Sequence, residues 1–257
     1  MNIDLTNQFI RGGFGDLILS IDNIDKNKDL LLISHANRFD ICDFVVSLGI
    51  HDNPKYHNIF EPLDTNNVLY KEVKKSQYID WIISTTYSNL LIEKLENITL
   101  SKSVLIHPFG SKFALAVANM LNLPNKQIPS SLLDTIISIV YMYGYTPIIT
   151  GFKSELDSLD VNKTKAVLVE MSNAWTGLAL AQECHGFIGS DSSLKTYRVA
   201  KKKSAAVLIG DYEDPMRDSI FIEPYVKDKF LKPIKFKNYK DDYHLIVSNI
   251  IQYVKFI

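Results

Sequence analysis

Glycine, hydroxyl and single charged residues cluster at four points where chemistry could take place. These are residues 12–16 (GGFGD), 107–112 (HPFGSK), 150–155 (TGFKSE) and 189–193 (GSDSS). Each follows a short apolar run of the kind that forms a strand buried in a parallel sheet. Ligands of parallel α/β sheets bind outside the carboxyl ends of the strands. The sequence therefore predicts that these four segments are the loops of a binding site.

The first loop combines glycines with a carboxylate. Gly13 and Gly15 let the backbone approach a ligand closely or adopt positive φ, and the helical spacing that follows offers free N–H groups. The spacing is not the GxGxxG of a dinucleotide site. Asp16 ends the loop, where a carboxylate would repel a phosphate. On these residues alone, Asp16 either caps the helix, the commoner role, or takes part in chemistry.

Two later loops suit an anionic ligand. Ser111 and Lys112 place a hydroxyl and an ammonium beside a glycine, which fits a phosphate oxygen or an exposed turn with a solvated lysine. Asp191, Ser192 and Ser193 precede a helix, where hydroxyls and backbone amides suit a diphosphate or form an ordinary N-cap. In the remaining loop, Thr150 and Gly151 precede Glu155, whose carboxylate could accept a pair of ribose hydroxyls.

Several other kinds of site are disfavoured by the sequence. The six histidines show no metal spacing, and no GxSxG nucleophile elbow occurs. The two cysteines, Cys42 and Cys184, lie in apolar settings without a CxxC motif, so we expect neither a disulfide nor a zinc site. We therefore expect no bound metal.

Strand and helix patterns alternate along the whole chain, which predicts three-layer α/β units with parallel sheets in both halves. A linker near 96–102 divides the predicted domains, 1–100 and 101–257. Ser130 or Ser131 is the expected cap of its helix. Predicted strands are 7–11, 30–34, 57–60, 67–70, 103–107, 146–150, 166–169, 186–188 and 205–209. Predicted helices are 17–24, 41–48, 78–95, 130–143, 174–184, 192–200 and 243–256.

Composition and charge are those of an ordinary globular protein. Hydrophobic residues make up 46% of the 257 residues, charged residues 22%, and the net charge is −1. Residues 1–100 carry a net charge of −5 and residues 101–257 of +4. The difference suits either two domains with different ligands or chance variation between the halves. No cleavable signal is evident, and the longest apolar stretch, 132–143, is too short to span a bilayer. We expect a cytoplasmic location.

Taken in order, the loops resemble those of the heptosyltransferase-like glycosyltransferases of family 9. That family has a GxxGD turn, similar to residues 12–16, and an HPG(S/T) loop, similar to 107–112. Its TG strand end resembles Thr150 and Gly151, and its base-contacting segment resembles the stretch from Met171 to Leu180. Its G(N/V)D(S/T)G turn resembles residues 189–193. Ser193 replaces the last glycine of that turn, and Leu194-Lys195 replaces the pair that follows.

The resemblance implies a GT-B fold: two Rossmann-like domains facing a central cleft, with the C-terminal helix crossing back to the N-terminal domain. It implies an inverting, metal-independent transfer from a nucleotide-diphosphate sugar without a further cofactor, and it implies that Asp16 is the base. The residues implied for the donor diphosphate are Gly13, Gly15, Ser111, Lys112, Asp191, Ser192 and Ser193. Lys195, which departs from the family, either adds its charge to this diphosphate site or marks a different donor. Those implied for the nucleoside are Thr150, Gly151, Glu155 and Met171.

The acceptor and the activity are each open to more than one interpretation. The acceptor is expected to be a glycan such as lipopolysaccharide, or a lipid-linked sugar. A hydroxymethylated DNA base, as in phage enzymes, ranks second because a DNA acceptor needs a basic face and residues 1–100 are acidic. In place of sugar transfer, the same loops would also suit a sugar-nucleotide epimerase, a non-catalytic nucleotide-sugar binder or a regulatory module.

Overall fold

The computed structural model describes residues 8–10, 30–35, 68–73, 95, 97–110, 127–161, 164–171, 174–210 and 222–257. The chain divides into two compact units, Met1–Ile83 and Ser84–Ile257. The division into domains 1–100 and 101–257 stays a prediction. Several predicted elements fall outside the described residues: the glycine turn at 12–16, the helices at 17–24 and 41–48, the strand at 57–60 and nearly all of the helix at 78–95.

The first unit contains a sheet of three strands in the order β1-β2-β3. They are β1 (Gln8–Ile10), β2 (Leu30–His35) and β3 (Val68–Val73). β1 runs parallel to β2, but β3 runs antiparallel to it. The prediction of an all-parallel sheet in this half is therefore wrong at β3. Its sequence, VLYKEV, mixes charged with apolar residues, as is usual for antiparallel strands with one face in water.

The second unit is built on a six-stranded sheet in which every neighbouring pair is parallel. The strand order is β6-β5-β4-β7-β8-β9. This is the doubly wound order, in which the chain first adds strands on one side of β4 and then on the other. The strands are β4 (Ser103–His107), β5 (Thr146–Gly151), β6 (Val167–Glu170), β7 (Gly186–Ser190), β8 (Ala205–Gly210) and β9 (Leu231–Phe236).

Helices connect these strands and cover the sheet. They are α1 (Ser130–Met142), α2 (Lys153–Asp157), α3 (Ala174–Glu183), α4 (Ser193–Ala200), α5 (Glu223–Lys227) and α6 (Tyr243–Phe256), with a 3-10 turn at Leu100–Lys102. α1 and α6 pack on each other and share one buried cluster with Ile106, Ile188 and Leu208 of the sheet. Leu105 and Phe187 alternate with those residues and are equally buried, so both faces of the sheet are covered.

The start of one helix differs from expectation. The N-cap of α1 is Pro129, and Ser130 and Ser131 lie inside the helix, because the extended backbone of Pro129 sets the helix start without a side-chain hydrogen bond. The last helix packs on α1, β8 and β9. Its expected crossing back to the N-terminal domain stays a prediction. No described helix is both long and apolar enough to cross a membrane.

Candidate functional site

The change in winding direction falls between β4 and β7, and both strands end in buried polar residues. Ser190, at the end of β7, is fully buried, and its Oγ donates a hydrogen bond of 2.6 Å to the carbonyl of Phe109. A Cβ on Gly189 would lie 2.6 Å from the carbonyl oxygen of His107, so the two backbones need glycine here. The loops after β4 and β7 are thus held together at the crevice where doubly wound sheets bind ligands.

His107 is buried at the end of β4 and is uncharged at neutral pH. Its Nδ1 donates to the carbonyl oxygen of Thr150, 3.1 Å away, which fixes the proton on Nδ1 because a carbonyl only accepts. Burial lowers the pKa of His107 to about 4, against the opposing effect of that hydrogen bond. His107 therefore joins β4 to β5 as a neutral donor, and it brings no positive charge to the crevice at pH 7.

This burial predicts a pH effect on stability. The pKa of His107 is 6.5 in the unfolded chain and about 4 in the folded protein. The free energy of unfolding is therefore highest above pH 6.5 and falls as the pH drops below that value. Between pH 7 and 4 the loss is roughly 3 kcal/mol. His107→Asn keeps a donor at the Nδ1 position and does not titrate. We expect urea unfolding to show a smaller loss for this variant over that range. An equal loss of stability in the wild type and the variant would contradict the assignment of this pH effect to His107.

The loop after β7 carries the candidate anion-binding residues Asp191, Ser192, Ser193 and Lys195. Ser192 is the N-cap of α4, but its side chain makes no capping bond. Its Oγ is buried and has no hydrogen-bond partner among the described residues. Buried hydroxyls are nearly always partnered in proteins. This orphaned hydroxyl lies beside the N–H groups at the start of α4, which as a rule have no partner within their own helix, and the arrangement fits a ligand oxygen.

A buried ion pair lies in the same loop. Nζ of Lys195 is 2.9 Å from Oδ1 of Asp191, and the exposed fractions of the two side chains are 1% and 15%. Leu194, the residue before Lys195, packs beside Gly177 of α3. The four predicted donor-binding residues of this segment, 191–193 and 195, are therefore brought together at the start of α4.

The predicted nucleoside-binding residues lie at the ends of β5 and β6. Thr150 is fully buried, and its hydroxyl donates to the carbonyl of Val169, so this side chain joins the two strands. Gly151 packs against the ring of Phe109, where a Cβ would come within 2.8 Å of Cδ2. Glu155 accepts a hydrogen bond of 2.8 Å from the backbone N–H of Phe152.

Met171 follows β6 and is also engaged in packing. Its side chain is buried, and its backbone N–H donates to the carbonyl of Gly151. A Cβ on Gly177 would lie 2.5 Å from the Met171 sulfur, so α3 approaches this residue closely. Thr150, Gly151, Glu155 and Met171 thus share one edge of the sheet with the loop after β7. Asp16, Gly13, Gly15, Ser111 and Lys112 lie outside the described residues, and their roles stay predictions.

Solved structures provide the comparison with known proteins. No family model matches the chain, and no curated protein matches it. The structure of E. coli ADP-heptose LPS heptosyltransferase II is similar, with 11% sequence identity and a TM-score of 0.50. The match covers 71% of this chain and 57% of the heptosyltransferase chain. The likeness is one of fold. A family 9 glycosyltransferase from Veillonella parvula matches 68% of this chain and 50% of its own, with 14% identity and a TM-score of 0.45.

The heptosyltransferase-like α/β fold expected from the motifs is thus confirmed. The match spans little more than half of the heptosyltransferase chain. The arrangement of two domains around a cleft stays a prediction. Sequence reasoning placed Ser190 in the predicted anion-binding loop but missed that its hydroxyl joins this loop to the one after β4. Its position at the end of an apolar strand (GFIGS) was the available signal.

Proposed function

We propose that this protein is a glycosyltransferase that moves a sugar from a nucleotide-diphosphate sugar to an acceptor hydroxyl. The observation that carries the proposal is the loop at 190–193, at the winding change of a doubly wound sheet. It combines the buried, unpartnered hydroxyl of Ser192 with the N–H groups at the start of α4. Such a helix start binds diphosphates in this class of sheet. The fold shared with a heptosyltransferase supports the same ligand.

The reaction proposed is an inverting transfer without a metal. Asp16 takes the proton from the acceptor hydroxyl as its oxygen attacks the anomeric carbon, and the bond to the diphosphate breaks. The charge that develops on the leaving diphosphate is stabilised by Ser111, Lys112, the Ser192 hydroxyl and the N–H groups of α4. Gly13 and Gly15 let the first loop approach the donor, and the strand ends at 150–155 and 171 lie beside the nucleoside. The acceptor proposed is a glycan, such as lipopolysaccharide or a lipid-linked sugar.

The test is a thermal-shift panel of nucleotide sugars, followed by mass spectrometry of acceptors incubated with the stabilising donor. We expect one donor class to raise the melting temperature and a glycan acceptor to gain one sugar mass. Glucosylation of hydroxymethylated DNA instead would assign the phage-type acceptor. Conversion of the donor sugar without any acceptor would indicate an epimerase. If no nucleotide sugar stabilises the protein, the proposal is wrong and a regulatory module becomes the better explanation.

Removal of metal ions tests the mechanism separately. Since hydroxyls, one lysine and backbone amides are proposed to neutralise the leaving group, activity in excess EDTA is expected to equal activity in added Mg²⁺ or Mn²⁺. A glycosyltransferase known to depend on Mn²⁺ serves as the control and must lose its activity in the same buffer. Restoration of lost activity by one of these ions would contradict metal independence.

A further inference from the structure

The lysine of the loop after β7 lies in an unusual environment. Lys195 is in the first turn of α4, where the helix dipole disfavours a positive charge, and its side chain is only 1% exposed. A buried ammonium is tolerated when it is paired with an opposite charge and hydrogen-bonded. Its partner, at 2.9 Å, is the carboxylate of Asp191 four residues earlier. The ion pair therefore closes the loop onto the start of the helix.

The position of Asp191 makes its charge matter for any anion. It is the first residue after β7, next to Ser192, whose orphaned hydroxyl marks the place for a ligand oxygen. A bare carboxylate here would repel a diphosphate in a setting screened poorly by water. The ammonium of Lys195 cancels that charge, so the loop presents its N–H groups without a net negative charge.

We propose that Lys195 is a positioning residue, which neutralises Asp191 so that the loop accepts the donor diphosphate and which does not itself bind it. The 2.9 Å contact directs its ammonium to the carboxylate, and a side chain 1% exposed presents almost no surface to an arriving ligand. The inference rests on the proposed function and deepens it, and it differs from the expectation that Lys195 adds its charge directly to the diphosphate.

The experiment is a double-mutant cycle on the charges of Asp191 and Lys195. The probes are inorganic pyrophosphate and the nucleoside diphosphates ADP, UDP, GDP and CDP. Affinities are measured by calorimetry at low and high salt for the wild type, K195M, D191N and the double variant D191N/K195M. K195M removes the ammonium that offsets the charge of Asp191 and is expected to bind about tenfold or more weakly, most clearly at low salt. D191N keeps the ammonium and is expected to bind at least as tightly as the wild type.

The double variant decides between the two roles of Lys195. Since it restores a neutral loop, its affinity is expected to return to within about threefold of the wild type. A double variant as weak as K195M would mean that Lys195 binds the anion itself, and the inference would be wrong. If K195M does not fold, as judged by its melting curve, D191N and the double variant still give this comparison. If the wild type binds none of the five probes, the proposed function and the inference both fail, whereas wild-type binding without rescue overturns the inference alone.

Discussion

Replacing Arg198 with methionine is expected to lower the free energy of unfolding by about 3–5 kcal/mol. The guanidinium is 1% exposed and donates to four carbonyl oxygens at 2.6–2.9 Å. Three belong to the end of α3 and the residues just after it, and the fourth to the turn before β8. The oxygens are those of Ala181, Cys184, His185 and Ser204.

The size of the effect follows from what methionine leaves behind. The last carbonyls of a helix have no partner within the helix, and an unsatisfied buried carbonyl costs about 1–3 kcal/mol. Methionine also removes the desolvation cost of the buried guanidinium, which offsets part of the stability lost with the hydrogen bonds. Because domains are typically stable by only about 5–15 kcal/mol, this loss is a large fraction of the total, and the variant should unfold at clearly lower urea concentration.

Urea unfolding of matched variants checks this prediction. Lys227→Met removes a cation from an exposed position at the end of α5 and is expected to change stability by less than about 0.5 kcal/mol. Arg198→Lys keeps the charge but loses the planar, many-donor geometry, so an intermediate loss is expected. A methionine variant as stable as the wild type would show that water or backbone shifts replace the guanidinium.

Apolar runs made most of the second sheet predictable from the sequence, and β9 shows where that signal ends. β4, β5, β7 and β8 are nearly continuous apolar segments, as expected for strands buried on both faces. β9 (LKPIKF) alternates lysines with apolar residues and contains Pro233. It forms an edge strand that pairs only with β8 among the described strands, a position where a proline is tolerated. Only the three-dimensional order of the strands reveals that edge.

The candidate site was predictable as loops but not as contacts. The i,i+4 spacing of Asp191 and Lys195 can be read from the sequence, yet the burial that gives the pair its effect depends on the packing of α4. Ser192 has the residue type of a helix cap, and only the structure shows that its hydroxyl caps nothing. Arg198 carries no sequence signal at all, because its four partners are backbone atoms brought together by the fold.

Asp16→Asn is expected to lower the rate of sugar transfer by about 10²–10⁴-fold while leaving donor affinity within about twofold. The proposed base acts on the acceptor hydroxyl, so its loss affects kcat more than donor binding. Transfer rates measured by mass spectrometry and donor affinity measured by calorimetry give the two quantities. Asp22→Asn, six residues later in the same segment, is the control and should keep wild-type activity.

The same substitution separates catalysis from helix capping. Asparagine caps helices as well as aspartate does, so Asp16→Asn should leave the melting temperature unchanged even if Asp16 is a cap. Asp16→Ala removes both functions, and as a lost cap it would cost about 1 kcal/mol. If Asp16 only caps the helix, the asparagine variant will transfer sugar at the wild-type rate and the alanine variant alone will be less stable. An inactive asparagine variant with an unchanged melting temperature would assign the carboxylate to chemistry, because charge is then the property that was lost.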